Sequence, residues 1–536
     1  MVRTVRTTST ATVMAAVLAA AALGLAPHQA QAAPARTIAA FSEAAAAAPA
    51  VTFHDIPGSG GITLKGNVFT PAGAGAAGSK YPLIVLPTSW GMPQIEYIAQ
   101  AKKLADSGYI VVSYTSRGFW LSGGEIETAG PKDIADVSAV IDWALANTPA
   151  DAARIGTGGV SYGAGISLLA SASDPRIKAV VALSGWADLI ESIYSGRTQH
   201  LQAAALLGGA GFLTGRPGPE LQQILGDFLG SKLDREPQMI EWGKKRSAAE
   251  KVDAINANGA AIMLGNAWGD TIFPPNQYAK FFEKLTGPKR LEFRPGDHAT
   301  AELTGLLGLP NDTWTNAHRW FDRYLKGAAN GIDAEAPVQI KPRSDGGYEG
   351  YADWKSVGSG GAEKLMLSDS EHLFTGVDSG ANGGIVMLSS LLDQIAQAPP
   401  TASIPLLPRA FAAVWQSPRY EEERRVRGTV KVHTTVTPSK SDGTFVAYLY
   451  DVGPLGIGKL ISNAPYTFHG KQAGQSFGVD LELFSTAYDV PAGHRLAVVV
   501  DTVDPLYIEH NPTGGQLTFS SPRTDPSYVS VPLREQ

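Results

Sequence analysis

Arg154-Ile-Gly-Thr-Gly-Gly-Val-Ser161-Tyr-Gly-Ala-Gly-Ile-Ser-Leu-Leu-Ala-Ser-Ala-Ser173 is the stretch on which the fold turns. A short run from Arg154 enters Gly159-Val160-Ser161-Tyr162-Gly163, which matches G-x-S-x-G, and small and apolar residues at helical spacing leave it. That pattern suits a sharp strand-to-helix turn, where glycines on either side let the backbone bend and lift a serine hydroxyl above a sheet edge. With 59 glycines in 536 residues, five matching letters alone are weak, and a Gly-rich turn with an incidental serine is the bland reading. The flanking strand and helix are what raise the pattern to a candidate nucleophile.

Outward from this turn the same alternation repeats. Tyr81 to Pro87, Tyr109 to Tyr114, Lys178 to Leu183, Ala260 to Leu264 and Arg290 to Phe293 are short apolar runs bounded by Gly, Pro or polar turns. Such runs read as buried parallel strands. Helical stripes lie between them at 95–107 and 131–147, where Ile134, Val137, Ile141 and Leu145 share a face. Strands alternating with helices predict a doubly wound α/β sheet. Residues 187–255 interrupt the alternation with helix-rich, strand-free sequence, which reads as a cap over the sheet's carboxyl edge. A helix at 312–326 then closes the first domain, drawn as 51–335.

A serine hydroxyl needs a positioned base before it attacks a carbonyl. On this architecture the base follows the last strand and the acid an earlier one, in chain order Ser, Asp, His. Of ten histidines only His298, in Arg294-Pro-Gly-Asp-His298, sits just past the strand at 290–293. Asp270, ending AAIMLGNAWGD, is the matching acid, and Asp188 after the preceding strand is the alternative. His298 as a surface residue beside Asp297 is the competing reading for the base. For the oxyanion, one donor is the amide of Tyr162, and the second comes from the loop after Pro87, through the Trp90 amide or the Ser89 hydroxyl.

Large aromatics follow strand after strand: Trp90, Phe119, Trp120, Tyr162, Trp186 and Trp268. In an open α/β sheet ligands bind past the carboxyl ends of the strands, so these predict an apolar or aromatic mouth suited to an acyl group. For any single one, packing of cap onto core is the plainer reading. No H-E-x-x-H, P-loop or dinucleotide fingerprint is present, so no metal and no cofactor are expected.

The first 32 residues place Arg3 and Arg6 before an apolar run at 11–26 and Ala30-Gln31-Ala32, the order of a secretory signal peptide cleaved near Ala32. The apolar run falls short of the roughly 20 residues a spanning helix needs, so no stable membrane insertion is expected. An Ala-rich leader covers 33–50. Without residues 1–32 the chain carries 42 basic against 50 acidic residues, a net −8, with no basic run, which argues against a nucleic-acid partner. There is no Cys, which excludes disulfides and a thiol nucleophile. Beyond 340 the period becomes two, as in Phe445, Ala447 and Leu449 or Leu496, Val498 and Val500, and 340–536 reads as an antiparallel sandwich or jelly roll. The Pro-containing stretch 398–408 reads as a long loop.

Several runs resemble the Xaa-Pro dipeptidyl-peptidase and cocaine esterase family of serine hydrolases. They are Arg117-Gly118 with Ser122-x-Gly124, Gly159-x-Ser161-Tyr162-x-Ala-Gly165, Trp320-Phe-Asp-x-Tyr-Leu-Lys-Gly327, Thr444 to Val452, and Tyr488-x-Val-Pro-x-Gly493-His494-Arg495-Leu496. The resemblance spans nearly all of 55–530. It implies an α/β-hydrolase fold with a helical cap and a non-catalytic C-terminal jelly roll, a triad of Ser161, Asp270 and His298, and a structural His494. One departure stands out: several members place a tyrosine after the proline that ends the third strand, whereas this chain reads Pro87-Thr-Ser-Trp90. Peptidase members also hold a substrate amine with carboxylates, for which Asp188 and Glu191 are the candidates here. The expectation is an exported serine hydrolase cleaving esters or amides of a small-molecule or peptide substrate. A dipeptidyl-peptidase is the nearest rival, and a silent polymer- or glycan-binding protein a rival of another class.

Overall fold

The computed structural model describes residues 49–74, 78–344, 346–389, 392–393 and 398–534. The expected signal peptide and nearly all of the Ala-rich leader lie outside the described residues.

The first sheet is built from β1 (Ala50–Pro57), β2 (Thr63–Thr70), β3 (Tyr81–Pro87), β4 (Ile110–Tyr114), β5 (Ala150–Val160), β6 (Ile177–Leu183), β7 (Ala261–Ala267), β8 (Lys289–Arg294), β9 (Val338–Ile340) and β10 (Glu349–Tyr351). Their order across the sheet is β1-β2-β4-β3-β5-β6-β7-β8-β9-β10. Every pair from β4 to β9 is parallel, while β1, β2 and β10 pair antiparallel at the two edges. The sheet thus takes in two strands beyond residue 335, where the sequence suggested that the first domain ends.

The apolar runs are continuous because both faces of the sheet are covered. Along β3, Leu83 and Val85 face a core shared with helices Pro131–Asn147 and Tyr162–Ser173. Ile84 and Leu86 face the other core, built with helices Ile98–Asp106 and Asp312–Lys326. Between β6 and β7 the chain makes the helical excursion expected at 187–255, with helices Leu201–Thr214, Pro219–Leu229 and Glu236–Lys245 as its main members.

The C-terminal part is all-β, and its strands pair antiparallel. Strand Gly443–Val452 lies between Ile457–Phe468 and Arg495–Asp501 and is buried along its whole length. Phe445, Ala447 and Leu449 face the core between the sheets, as their alternation predicts. Val446, Tyr448 and Tyr450, however, enter a second cluster with Ile404, Leu407 and Leu506, so the outward face is covered too. Part of that cover is the stretch 398–408, read as a loop: Thr401–Ser403 is a short strand paired with the start of Ile457–Phe468. The two halves are joined by buried polar contacts. The Asn276 side chain donates to the Leu483 carbonyl and accepts from the Ser485 amide, at 3.0 and 2.6 Å. Among the described residues no helix is long and apolar enough to cross a membrane.

Candidate active site

Ser161 follows directly on the last residue of β5 and holds φ 56°, ψ −115°, outside the ordinary regions for a side-chain-bearing residue. The turn is so tight that a methyl group at Gly163 would overlap the Pro87 carbonyl oxygen, so only glycine fits there. Strain of this kind persists where surrounding structure over-determines it, and here β5, the following helix and the Ser161 amide bond to Leu183 O (2.8 Å) do so.

The loops after β7 and β8 bring the partners expected from the sequence. His298 Nε2 lies 2.9 Å from Ser161 Oγ, and His298 Nδ1 lies 3.0 Å from Asp270 Oδ2. All three side chains are buried. Asp270 is fixed by its other oxygen, which accepts the amides of Ile272 and Phe273 at 2.9 and 2.7 Å. Burial pushes the His298 imidazole down, but the Asp270 carboxylate outweighs it, helped by Asp297 and Glu302, and the net shift is upward. Asp188, the alternative acid, instead caps the short helix Leu189–Ile193 by accepting the Glu191 amide at 3.0 Å.

For the oxyanion, Tyr162 is the first residue of its helix, so its N–H has no acceptor within the helix and points out of the N-terminus beside Ser161. Ser89 does not serve as the sequence allowed. Its hydroxyl sits between Glu96 Oε1 (2.5 Å) and the Val160 carbonyl (3.0 Å), and its amide donates to Glu96 Oε2 (2.8 Å). The Trp90 amide remains, with no acceptor among the described residues. The Trp90 indole N–H donates to the Leu207 carbonyl of the cap at 2.8 Å, so the indole ties cap to core.

Of the six aromatics expected at the mouth, Trp90, Tyr162 and Trp186 line the chamber beside Ser161. Trp90 and Trp186 form its floor with Tyr162 and Phe273, the last packed edge-on to His298 at 5.2 Å. Phe119 lies one layer behind, wholly buried against Trp90 and Tyr162. Trp120 is 48% exposed on the surface, with its indole N–H on the Gly91 carbonyl. Trp268 is on the far side of Asp270, packed on Phe293 and Trp354 with its N–H on Lys341 O. A position after a strand does not say which way a side chain leaves it, and these three leave toward a deeper layer, solvent and the domain junction.

The sequence reading missed the chamber's roof. Ile190, Tyr194, Leu207, Leu225, Phe228 and Trp242 of the cap close a cavity of about 120 Å³ in which no lining residue is charged. The signal lay in helices Leu201–Thr214 and Pro219–Leu229, which carry more apolar residues than one buried face requires. Glu191, a candidate for holding an amine, is paired with Lys280 at 2.6 Å instead and does not reach the chamber. His494 Nδ1–H donates to Asp451 Oδ1 at 2.7 Å within the β domain.

A capped α/β sheet with a serine at its strand-to-helix turn defines a serine hydrolase of the α/β-hydrolase type. The family pattern described as X-Pro dipeptidyl-peptidase (S15 family) matches residues 60–300, and that of the X-Pro dipeptidyl-peptidase C-terminal non-catalytic domain matches 330–530. The chain therefore belongs to the S15 X-Pro dipeptidyl-peptidase family. A Bacillus anthracis protein bearing the name Xaa-Pro dipeptidyl-peptidase is 22% identical over 467 residues, covering 80% of this chain and 73% of its own. Two solved structures share the fold. An α-amino acid ester hydrolase superposes with TM-score 0.70 at 16% identity over 95% of this chain and all of the other. An aminopeptidase from a marine sediment Thaumarchaeota archaeon does so with TM-score 0.70 at 14% identity over 95% and 99%.

Proposed function

We propose that this chain is an exported esterase or amidase that works through an acyl-enzyme on Ser161, taking substrates whose acyl part is apolar and carries no free amine. The observation that carries the reading is the chamber against Ser161: no acidic side chain lines it. A dipeptidyl-peptidase or an α-amino ester hydrolase has to hold a substrate ammonium, and an ammonium in an apolar chamber without a carboxylate is strongly disfavoured. An acyl chain or ring gains about 25 cal/mol per Å² of apolar surface it buries there.

In this reading Ser161 Oγ passes its proton to His298 Nε2 and bonds to the carbonyl carbon. The oxyanion is met by the Tyr162 and Trp90 amides, and Asp270 holds the imidazolium. His298 then protonates the leaving alcohol or amine, and a water activated by the same imidazole releases the acid. Export rests on the signal-peptide pattern of residues 1–32.

The test is kcat/KM on a short-chain p-nitrophenyl ester and on Ala-Pro p-nitroanilide, with Ser161→Ala as control. Ester turnover without anilide cleavage, lost in the variant, is expected. Efficient anilide cleavage would return the chain to the peptidase reading that its relatives' names suggest. A folded protein that resists a fluorophosphonate probe would leave only the silent binding protein.

A further inference from the structure

The molecule exposes an apolar patch at the chamber's mouth. Leu121 is 80% exposed and Leu213 67%, and beside them Phe212, Trp120 and Met92 are also open to solvent. Hydrogen bonds bring their three segments together: the Trp120 amide donates to the Thr214 carbonyl at 2.7 Å, and the Trp120 indole donates to the Gly91 carbonyl at 2.8 Å. No residue of 91–95, 119–123 or 208–215 is charged. The nearby Arg216 guanidinium turns inward onto the carbonyls of Trp120, Ser122 and Gly124. Scattered exposed apolar residues are ordinary, but a contiguous uncharged group marks a surface that meets something apolar.

This patch is continuous with the active-site chamber. Phe212 belongs to both, lining the cavity while 55% of it faces solvent. One residue earlier, Gly211 packs directly on the Trp90 indole, which lines the chamber. An apolar path therefore runs from open surface to Ser161.

We propose, resting on the esterase reading above, that the natural substrate is an acyl ester of a lipid aggregate, and that this patch is where the enzyme meets the aggregate. The acyl chain passes Phe212 into the chamber. Ser161 Oγ bonds to the acyl carbon as the acyl–O bond breaks, the alcohol departs with the proton carried by His298, and water then frees the fatty acid. A lipid surface suits the patch because its apolar side chains run on, through Phe212, into a chamber with no charged lining residue, as the path of an acyl chain requires.

Three measurements on the mature full chain test this. For monomeric p-nitrophenyl esters from acetate upward, kcat/KM is expected to climb about fourfold per methylene until the chamber fills. On trioctanoin, the rate is expected to jump once substrate passes its solubility limit. In a Leu121→Asp, Leu213→Asp variant, whose sites are too exposed to threaten folding, the ratio of emulsion rate to p-nitrophenyl butyrate rate is expected to fall about tenfold or more, with loss of binding to phosphatidylcholine vesicles. An unchanged ratio overturns the proposal. So does a wild-type dimer that the variant converts to monomer in sedimentation, which would make the patch a contact between copies. Failure of the wild type on every ester would instead overturn the esterase reading itself.

Discussion

Asp297 Oδ1 accepts the main-chain amide of His298 at 2.7 Å. The same oxygen accepts the amide and the hydroxyl of Thr271, at 2.9 and 2.8 Å, so one buried carboxylate ties the loop bearing the base to the loop bearing the acid. Thr271 Oγ1 in turn accepts the Met387 amide at 2.9 Å, which extends the tie to the C-terminal part. Asp297 also contributes negative charge beside His298, whose pKa lies above its ordinary value near 6.5 through Asp270 first and Asp297 next, against the downward pull of burial.

Two substitutions separate these roles. Asp297→Asn keeps an acceptor oxygen and removes the charge, so kcat is expected to survive within about tenfold while the acid limb of the kcat/KM–pH profile moves to lower pH. The sign follows from chemistry: the base works unprotonated, activity is lost as pH falls through its pKa, and removing a negative neighbour lowers that pKa. Asp297→Ala removes the tie and is expected to cost about 10²-fold in kcat, the usual effect of a misplaced base. An Ala variant with wild-type kcat and an unmoved acid limb would rule out both roles.

Ser161→Ala is expected to abolish turnover and labelling by a fluorophosphonate. Asp270→Asn leaves the loop's shape but offers an amide N–H or a weaker acceptor to His298 Nδ1, favouring the wrong tautomer, and should lower kcat by about 10³–10⁴. Asp188→Asn should leave kcat within about twofold, since that side chain only caps a short helix. A large loss at Asp188 with none at Asp270 would reverse the assignment of the acid.

Why were these three residues readable from the chain, and the pocket only in part? The triad depends on order and on strand ends, and both are local: a Gly-flanked serine after one apolar run, an aspartate and a histidine after two others. Helices 131–147 and 312–326 fall where their stripes place them, because each buries one face against a covered sheet. Side-chain direction is not local. Trp186 and Trp268 occupy equivalent places after β6 and β7, yet one donates its N–H to Arg246 O and lines the chamber while the other faces the domain junction. Strands β9 and β10, the last two of the sheet, have three residues each, too few for a periodicity to mark them. Ser89 is lost to Glu96, a partner seven residues on that becomes visible only once the turn folds.

Gly163 offers a check on the turn itself. Adding a methyl group there forces the Pro87 carbonyl or the Ser161 turn to move, and Pro87 leads into the loop that presents the Trp90 amide. Gly163→Ala is therefore expected to lower Tm and, in whatever protein folds, to cut kcat far more than it raises KM, because the displaced groups meet the transition state. A change confined to KM would show that the elbow tolerates the methyl group.

Glu302 carries the prediction for stability. It is buried beneath the site with both carboxylate oxygens 3.1 Å from the Ser184 hydroxyl, and burial pushes its pKa up to about 7 even though Ser184 and Arg294 pull it down. Glu96, buried next to Ser89, is also pushed up to about 7 by desolvation. An unfolded glutamate titrates near 4.3, so between about 4.5 and 7 the folded chain holds protons that the unfolded chain has released. Stability from these groups is fully present below the unfolded pKa and is lost as pH rises through the folded one. Tm should accordingly fall between pH 5 and pH 8, and Glu302→Gln, which keeps the shape and cannot ionise, should shrink that fall by stabilising the protein selectively at the alkaline end. Calorimetric scans of both proteins at pH 5, 6, 7 and 8 decide it, since parallel Tm curves would mean that Glu302 is ionised in the folded chain throughout that range.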